Sequence, residues 1–346
     1  MFLKIDVIPR LLLVLAISFP ALGVVKKKEK VHRAEVETTG SGLALLWQYP
    51  KDIATRNLFY GPGGKKHVPH GAVTFVKEDL DGSNPKFAVR DQSGVKWKVK
   101  LGAEARPETV ATRLVWAAGY FADEDYFVAD LQVENMPAHL HRGQKLVDAD
   151  GMVHDVRMKR YLKDEEKIGT WKWRDDPFEN TRELNGLRVI MALINNWDLK
   201  DENNGILGED QDYARSPERI YLVRDLGSSF GTAGPSWPHE KAKGNLPSYS
   251  QSKFIRRLTP QEVDFNVPSR PSFQYLVNLP EFLRRRELYW IGRHIPRTDA
   301  RWVGQILGKL SPGQIRDAFR AAGYSPEQVE GFASVLESRI AELRAL

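Results

Sequence analysis

Three short segments between residues 72 and 100 are rich in residues that favour β-strands, and in the third of them apolar and polar positions alternate with a period of two. The segments are Ala72–Val76, Lys86–Arg90 and Val95–Lys100. Clusters of turn-forming residues separate them, Asp-Gly-Ser-Asn-Pro at 81–85 and Asp-Gln-Ser-Gly at 91–94. Strands joined by such tight turns predict an antiparallel meander.

A helix is predicted directly after the meander. Val110 and Leu114 recur at helical spacing, and Pro107 can occupy the first turn. The segment Tyr126–Val133 then predicts a further strand. The connector at residues 135–137 is expected to end this β-rich part of the chain.

Helical patterns dominate the chain from about residue 138. Asn180 is predicted to cap a buried helix, with Glu183 completing a capping box. Apolar residues then recur at helical spacing: Leu184, Leu187, Ile190, Met191 and Ile194. Further on, Ser311 and Ser325 are each followed by Pro at the next position and Gln at the third, which predicts two capped helices.

The composition is that of a globular protein and excludes several chemistries. The chain has 346 residues, 42% hydrophobic and 28% charged, which is enough for two lobes with buried cores. Because it has no cysteine, disulfides, zinc–thiolate sites, iron–sulfur clusters and thiol nucleophiles are excluded. The net charge of +6 favours anionic partners but is far below that of a dedicated nucleic-acid binder, so we expect no nucleic-acid partner.

The first residues predict export. Residues 1–23 combine basic Lys4 and Arg10 with an apolar run of nine residues, which is typical of a cleaved signal peptide and too short for a comfortable membrane span. An uncleaved N-terminal membrane anchor is the alternative. Residues 24–70 are interpreted as an N-terminal extension, whose lysine-rich start is solvated or contacts an anionic membrane surface. The protein is thus expected to be secreted or periplasmic.

Two polar motifs contain the candidate chemistry. Asp198-Leu-Lys200-Asp-Glu-Asn203 follows the predicted buried helix, and Asp225-Leu-Gly follows an apolar strand. Phosphoryl transfer from ATP needs a carboxylate for the attacking hydroxyl, a cation for the moving phosphoryl group and hard oxygen ligands for a metal. The two motifs supply these groups. The first motif could instead be an ordinary polar loop, and Asn204 is a rival of Asn203.

The first motif resembles the catalytic loop of protein kinases, Asp-Leu-Lys-x-x-Asn, and Asp225-Leu-Gly resembles their Asp-Phe-Gly metal motif. Three features depart from ordinary kinases. Asn196-Trp197 stands where kinases have His-Arg, the turn at 81–85 has one glycine instead of three, and no convincing Ala-Pro-Glu follows. The chain therefore looks like a member of the divergent kinase-like superfamily, similar to HipA-like, CotH-like and secretory-pathway kinases and phosphoinositide kinases. Export suits the secretory-pathway type best.

The resemblance implies a nucleotide site between two lobes. Lys100, at the end of the third strand, would contact the α- and β-phosphates of ATP, and Glu108 in the following helix would hold it. Gly82 and Ser83 would approach the phosphates through their backbone N–H groups. The rival candidates for the lysine and glutamate roles are Lys96, Lys98 and Glu104.

The same resemblance implies roles for the two motifs. Asn203 and Asp225 would ligate Mg²⁺ or Mn²⁺. Asp198 would orient the acceptor hydroxyl, and Lys200 would stabilise charge on the γ-phosphoryl group.

The resulting prediction is an α+β, two-lobed fold similar to protein kinases. An antiparallel β-rich N-lobe with one helix covers residues 71–136, and a mostly helical C-lobe with a helical tail covers residues 137–346. The predicted activity is ATP- and Mg²⁺-dependent phosphotransfer to a hydroxyl of an unidentified acceptor, whether protein, lipid or sugar. The alternatives are a secreted pseudokinase that binds without catalysis, and transfer of AMP in place of phosphate. The oligomeric state is left open.

Overall fold

The computed structural model of the protein describes residues 43–162, 166–209, 218–232, 242–267 and 279–346. The predicted signal peptide and the first part of the predicted extension, up to residue 42, lie outside the described residues. None of the helices in the described stretches combines the length and apolar character that crossing a bilayer requires.

Five strands close into a barrel. The first strand of the described residues is β1, Leu43–Leu45, and the barrel strands are β2 Val73–Glu78, β3 Lys86–Arg90, β4 Lys96–Lys100, β5 Asp125–Glu134 and β6 Met152–Arg160. Strands β2, β3 and β4 pair antiparallel, which confirms the predicted meander. The order β2-β3-β4-β6-β5 closes through a parallel pairing of β5 with β2. Apolar side chains such as Val89 and Val99 fill the interior.

The barrel extends beyond residue 136, where the sequence suggested a lobe boundary. Strand β6 pairs with β4 on one side and with β5 on the other, so the barrel does not close without it. The connector at 135–137 therefore begins the link between β5 and β6, and the β-rich lobe runs to Arg160. The sequence pattern did not predict strand β6, because the charged residues Arg157 and Lys159 are buried in it.

Helix α1, Ala105–Ala117, is buried between the barrel and the helical part of the molecule. One face presents Glu108 to Arg157 of β6, with 2.5 Å between Oε1 and Nη2. Another face, with Val110 and Leu114, belongs to the large apolar core of the second lobe. Because both faces are packed, the barrel and the helical core together set the direction of the carboxylates in the first turn of α1.

The second lobe is mostly helical, with two small sheets. Its helices are α2 Arg182–Leu193, α3 Leu246–Gln251, α4 Leu279–Arg286, α5 Arg297–Leu307, α6 Pro312–Arg320 and α7 Pro326–Ala345. One sheet has the order β1-β9-β8-β7, and its last three strands are β7 Glu166–Gly169, β8 Asn204–Gly208 and β9 Glu218–Val223. The other sheet contains β10 Ile255–Leu258, β11 Glu262–Phe265 and β12 Ile295–Pro296. The molecule is therefore α+β, as predicted.

The helix starts agree with the sequence signals, with one correction. Ser311 and Ser325 each form a capping box with the glutamine three residues on, as predicted. Helix α2 is capped by Thr181, whose hydroxyl accepts from the backbone N–H of Leu184 at 3.2 Å. The predicted cap, Asn180, has a φ of 66°, whereas a capping residue needs an extended backbone.

Candidate functional site

Lys100 lies at the centre of a cluster of charged side chains, most of which are buried. It is the last residue of β4 and is 5% exposed. Its Nζ lies 2.7 Å from Oε2 of Glu108, 3.1 Å from Oε2 of Glu104 and 3.1 Å from Oδ1 of Asp225. The structure thus brings Lys100 and Glu108 together, and the rival residue Glu104 contacts the same ammonium. The two glutamates are one helical turn apart, so both carboxylates lie on one side of the helix start.

Mutual attraction favours the charged forms of Lys100, Asp225 and Glu104 and outweighs the effect of burial on their pKa values. Burial alone would lower the pKa of Lys100, but the Asp225, Glu108 and Glu104 carboxylates raise that pKa well above its ordinary value. Burial would raise the pKa of Asp225, but the Lys100 ammonium holds it well below its usual range. The pKa of Glu104 is also lowered, against the effect of burial, by Lys100 and Lys243. Each charge therefore depends on its neighbours.

Asp225 reaches this cluster because the end of β9 is tied to the barrel. Nη2 of Arg224 lies 3.0 Å from Oδ1 of Asp123, and Nζ of Lys159 lies 3.0 Å from Oδ2 of the same carboxylate. Burial would raise the pKa of Asp123, but these two cations hold it well below its usual range. An ion triad thus joins the two lobes one residue before Asp225.

Gly227 lets the Asp225 motif approach α1 closely. A Cβ at this position would lie 2.6 Å from Cβ of Glu104 and 2.8 Å from its Oε2. The backbone N–H of Gly227 also donates to Oδ1 of Asp225 at 3.4 Å. The glycine in the motif is therefore required by the short distance between the motif and Glu104.

Hydrogen bonds at the backbone hold the loop that contains Asp198. The backbone N–H of Asp198 donates to Oδ1 of Asn196 at 2.9 Å, and Nδ2 of Asn203 donates to the carbonyl of Asp198 at 2.6 Å. Nζ of Lys200 lies 3.4 Å from Oδ1 of Asp198. The side chains of Asp198 and Lys200 are 18% and 24% exposed, so the loop places a half-buried carboxylate beside a half-buried ammonium.

The two motifs meet at Asn203. Its backbone carbonyl accepts from the N–H of Arg224 at 2.8 Å and from that of Asp225 at 3.3 Å. Asn204 is buried and donates from Nδ2 to the carbonyl of Trp171 at 3.1 Å. Of the two candidate asparagines, Asn203 is thus the one beside Asp225.

The turn between β2 and β3 reaches the cluster through Asn84. Nδ2 of Asn84 donates to Oε2 of Glu104. Gly82 and Ser83, the residues predicted to approach phosphates, lie at the exposed tip of this turn. Gly82 has a φ of 66°, and its carbonyl accepts from Nη1 of Arg142. Asn84, which was not among the predicted site residues, is therefore the residue of this turn that contacts the cluster.

The three lysines of β4 have different partners. Nζ of Lys96 lies 4.6 Å from the ring centroid of Tyr161, and Nζ of Lys98 lies 2.7 Å from Oδ2 of Asp79. Lys100 is the lysine of this strand that contacts the carboxylate cluster. The structure thus places Lys100, and not its rivals Lys96 and Lys98, against the carboxylates of the cluster.

The carboxylate cluster has the donor chemistry of a divalent-cation site. Glu104, Glu108 and Asp225 each place a carboxylate oxygen within 4.8 Å of the others. Mg²⁺ prefers oxygen ligands, and carboxylates also suit Mn²⁺. Asp225 is the accessible member, since its side chain is 36% exposed against 4% and 2% for Glu104 and Glu108. The residues present therefore fit the predicted metal, and Glu104 joins Asn203 as a candidate second ligand.

Two cations of the site were missed by sequence reasoning. Lys243 is 139 residues from Glu104 in the chain, and its Nζ pairs with Oε1 of that carboxylate. Arg157 lies opposite Lys100 in the pairing of β4 with β6 and binds Oε1 of Glu108. No local pattern indicates either residue, because tertiary contacts alone bring them to the site.

Two solved structures with similarity to this chain are kinases. The Helicobacter pylori proinflammatory kinase CtkA is 13% identical with a TM-score of 0.44, over 80% of this chain and 98% of that one. The Golgi casein kinase is 10% identical with a TM-score of 0.36, over 80% of this chain and 71% of that one. No protein-family model and no curated protein matches the sequence. The functional interpretation therefore rests on the geometry of the site.

Proposed function

We propose that this protein is an ATP-dependent phosphotransferase that uses Mg²⁺ or Mn²⁺ and transfers the γ-phosphoryl group to a hydroxyl. The observation that carries the proposal is the contact of one buried ammonium, Lys100, with both Glu108 and Asp225. In protein kinases the strand lysine must pair with a helix glutamate, and the metal-binding aspartate must be in place. The same residue types occupy these positions here.

The nucleotide side of the site would bind and orient the phosphates. Lys100 would contact the α- and β-phosphates, while Glu108 keeps its ammonium in position. Asp225, with Asn203 or Glu104, would hold the metal ion. The bound ion would supply positive charge against the β- and γ-phosphate oxygens.

The catalytic loop would act on the acceptor. Asp198 would orient the acceptor hydroxyl and accept its proton while the hydroxyl oxygen bonds to the γ-phosphorus and the bond to the bridging oxygen of ADP breaks. Lys200, 3.4 Å from Asp198, would balance the charge of the transferred group. ADP and the phosphorylated acceptor are the products.

Calorimetric titration with ATP, with and without Mg²⁺, tests the proposal directly. We expect binding that requires Mg²⁺ and that is lost in Asp225→Ala. The matched control is Asp317→Ala, which removes an exposed carboxylate paired with Arg320 at 2.7 Å and should not change binding. A folded wild-type protein that binds no ATP with Mg²⁺ present would refute the proposal.

Transfer is tested separately with radiolabelled ATP, by label incorporated into the protein itself and by release of ADP. AMP incorporation in place of phosphate would identify nucleotide transfer. Binding without any turnover, in the presence of candidate protein, lipid and sugar acceptors, would favour the alternative of a binding module.

Export and contact with an anionic membrane surface remain predictions from the sequence.

A further inference from the structure

Lys243 places a second ammonium in the candidate site. Its side chain is 8% exposed, and its Nζ pairs with Oε1 of Glu104. The other oxygen of that carboxylate, Oε2, lies 3.1 Å from Nζ of Lys100. Glu104 therefore has one ammonium on each oxygen, while it also belongs to the carboxylate set that fits a metal ion.

Hydrogen bonds hold the backbone on both sides of Lys243. The N–H of Gly244 donates to the carbonyl of Ser229 at 2.9 Å. The indole Nε1–H of Trp197 donates to the carbonyl of Ala242 at 3.0 Å. These contacts lie on both sides of Lys243 in the chain, so its position is determined by the fold and not by its ion pair alone.

Trp197 also places Lys243 near the catalytic loop. Nζ of Lys243 lies 5.5 Å from the centroid of the Trp197 ring, and Trp197 directly precedes Asp198. An aromatic face attracts a cation at this distance. The ammonium of Lys243 therefore contacts both Glu104 and the ring of Trp197. If Glu104 takes another partner, the ring still attracts the ammonium.

We propose that Lys243 is a phosphate-binding lysine, which exchanges Glu104 for the terminal phosphate of the bound nucleotide. This inference rests on the proposed function. A metal ion at Glu104 would compete with the two ammonium groups for the negative charge of that carboxylate. Lys100 still has Glu108 as a partner, whereas the ion pair of Lys243 is, among the described residues, with Glu104 alone, so Lys243 is the ammonium that changes partner. Lysine is a compact point charge that suits phosphate.

The test compares a nucleoside triphosphate with a diphosphate. Calorimetry with the full chain would measure the affinities for the non-hydrolysable analogue Mg²⁺–AMP-PNP and for Mg²⁺–ADP. Lys243→Met should weaken AMP-PNP binding about tenfold, which equals the loss of one charge-assisted contact, and ADP binding less than about threefold. Lys243→Arg should keep most of the preference for the triphosphate. Lys309→Met, at an exposed lysine bonded to Tyr49, is the control and should change neither affinity.

Each outcome decides a different claim. Unchanged affinities in Lys243→Met, or equal losses for both nucleotides, would overturn the role of Lys243 and leave the proposed function standing. A wild-type protein that binds neither nucleotide would instead reject the proposed function, and this inference with it. If Lys243→Met fails to fold, Lys243→Gln removes the positive charge and keeps a side chain that can donate a hydrogen bond to Glu104. Its ratio of AMP-PNP to ADP affinity should fall about tenfold, and an unchanged ratio would overturn the proposal.

Discussion

The two sides of the candidate site are held together by different forces. On the side proposed to bind nucleotide, called the nucleotide side below, Lys100 is almost fully buried and is surrounded by charged partners. On the side proposed to act on the acceptor, Asp198 is partly exposed, and the loop is held by bonds such as that from Asn203 to the Asp198 carbonyl. The structure of the first side depends on ion pairs between side chains. The structure of the second side depends mainly on hydrogen bonds to the backbone.

This difference predicts which variants would separate nucleotide binding from phosphoryl transfer. A buried ion network loses stability when one member is removed, because the remaining charges stay buried without compensation. A partly exposed carboxylate, whose loop is held by other groups, can be replaced without loss of the fold. Variants on the nucleotide side should therefore change stability and binding together, whereas variants at Asp198 should change catalysis alone.

The largest effect is expected for Lys100→Met. Its removal leaves the carboxylates of Glu104, Glu108 and Asp225 without their shared ammonium. The free energy of unfolding should fall by about 3–5 kcal/mol, as for a broken buried ion pair, and ATP binding should be lost. Urea denaturation and calorimetry measure the two effects.

Lys98→Met is the matched control for this variant. Lys98 lies on the same strand, and its ion pair with Asp79 is more exposed, at 25% and 14% for the two side chains. Its removal should cost less than about 1 kcal/mol. If Lys100→Met were as stable as Lys98→Met, the interpretation of the cluster as a mutually dependent ion network would be wrong.

Asp198→Asn should affect the other side of the comparison. The rate of phosphoryl transfer should fall by about 10²–10⁴-fold, which is the usual contribution of a general base. The affinity for Mg²⁺–ATP should stay within about threefold, and the free energy of unfolding within about 1 kcal/mol, since the side chain is partly exposed. Turnover assays, calorimetry and urea denaturation measure these quantities.

A neighbouring acid provides the control for Asp198→Asn. Glu202 lies in the same loop and is exposed, and Glu202→Gln should leave the transfer rate unchanged. Full activity in Asp198→Asn would contradict the assigned role. A large loss of stability in that variant would instead show that the loop depends on this side chain.

Local patterns were sufficient for much of the fold and for part of the site. The meander, the helix after it and the capped helices α6 and α7 follow from alternation, spacing and capping residues within short segments. The pair Lys100 and Glu108 and the ligands Asn203 and Asp225 were predicted from the resemblance of the two motifs, and of the order of elements, to protein kinases. The structure brings Lys100 and Glu108 into contact and places Asn203 beside Asp225.

The remaining features depend on contacts between distant parts of the chain. Lys243 and Asn84 both bind Glu104, but neither lies in a motif. Strand β6 was not predicted because Arg157 and Lys159 occupy buried positions, which in most strands hold apolar residues. Those two charges are buried because Glu108 and Asp123 face them from other elements, which the sequence of the strand cannot indicate.

A smaller effect is expected for Gly227→Ala. The added methyl group would lie 2.6 Å from Cβ of Glu104, so the Asp225 motif must move away from α1. Such overpacking typically costs about 1–3 kcal/mol, and the affinity for Mg²⁺–ATP should fall about tenfold or more. Urea denaturation and calorimetry on the same preparation check both values.

Gly313→Ala is the control for a glycine without a close neighbour. Gly313 lies in the first turn of α6, and an added Cβ would lie 3.8 Å from Oγ of Ser311. This variant should keep ATP affinity and gain up to about 1 kcal/mol of stability from the better helix former. Unchanged ATP binding in Gly227→Ala would show that the short distance to Glu104 is not needed for the site.

The smallest effect is the pH dependence of stability, which reports the charge state of the nucleotide side. The pKa of Asp225 and that of Glu104 are lower in the folded protein than their ordinary values, despite burial, because Lys100 favours the ionised forms. In acid the unfolded chain therefore binds more protons than the folded one. The stability from these groups is fully present above their ordinary pKa values of about 4 and is lost as the pH falls towards the folded values.

Asp225→Asn measures the share of this dependence that comes from the more accessible carboxylate. Between about pH 5 and pH 2, the free energy of unfolding of the wild type should fall more steeply than that of the variant. Because Asp225 is 36% exposed, solvent screening reduces the difference, and we expect about 1 kcal/mol. Asp317→Asn, at a surface pair, should follow the wild-type curve. Urea denaturation at a series of pH values gives the slopes, and parallel curves for wild type and Asp225→Asn would mean that Lys100 does not stabilise an ionised Asp225.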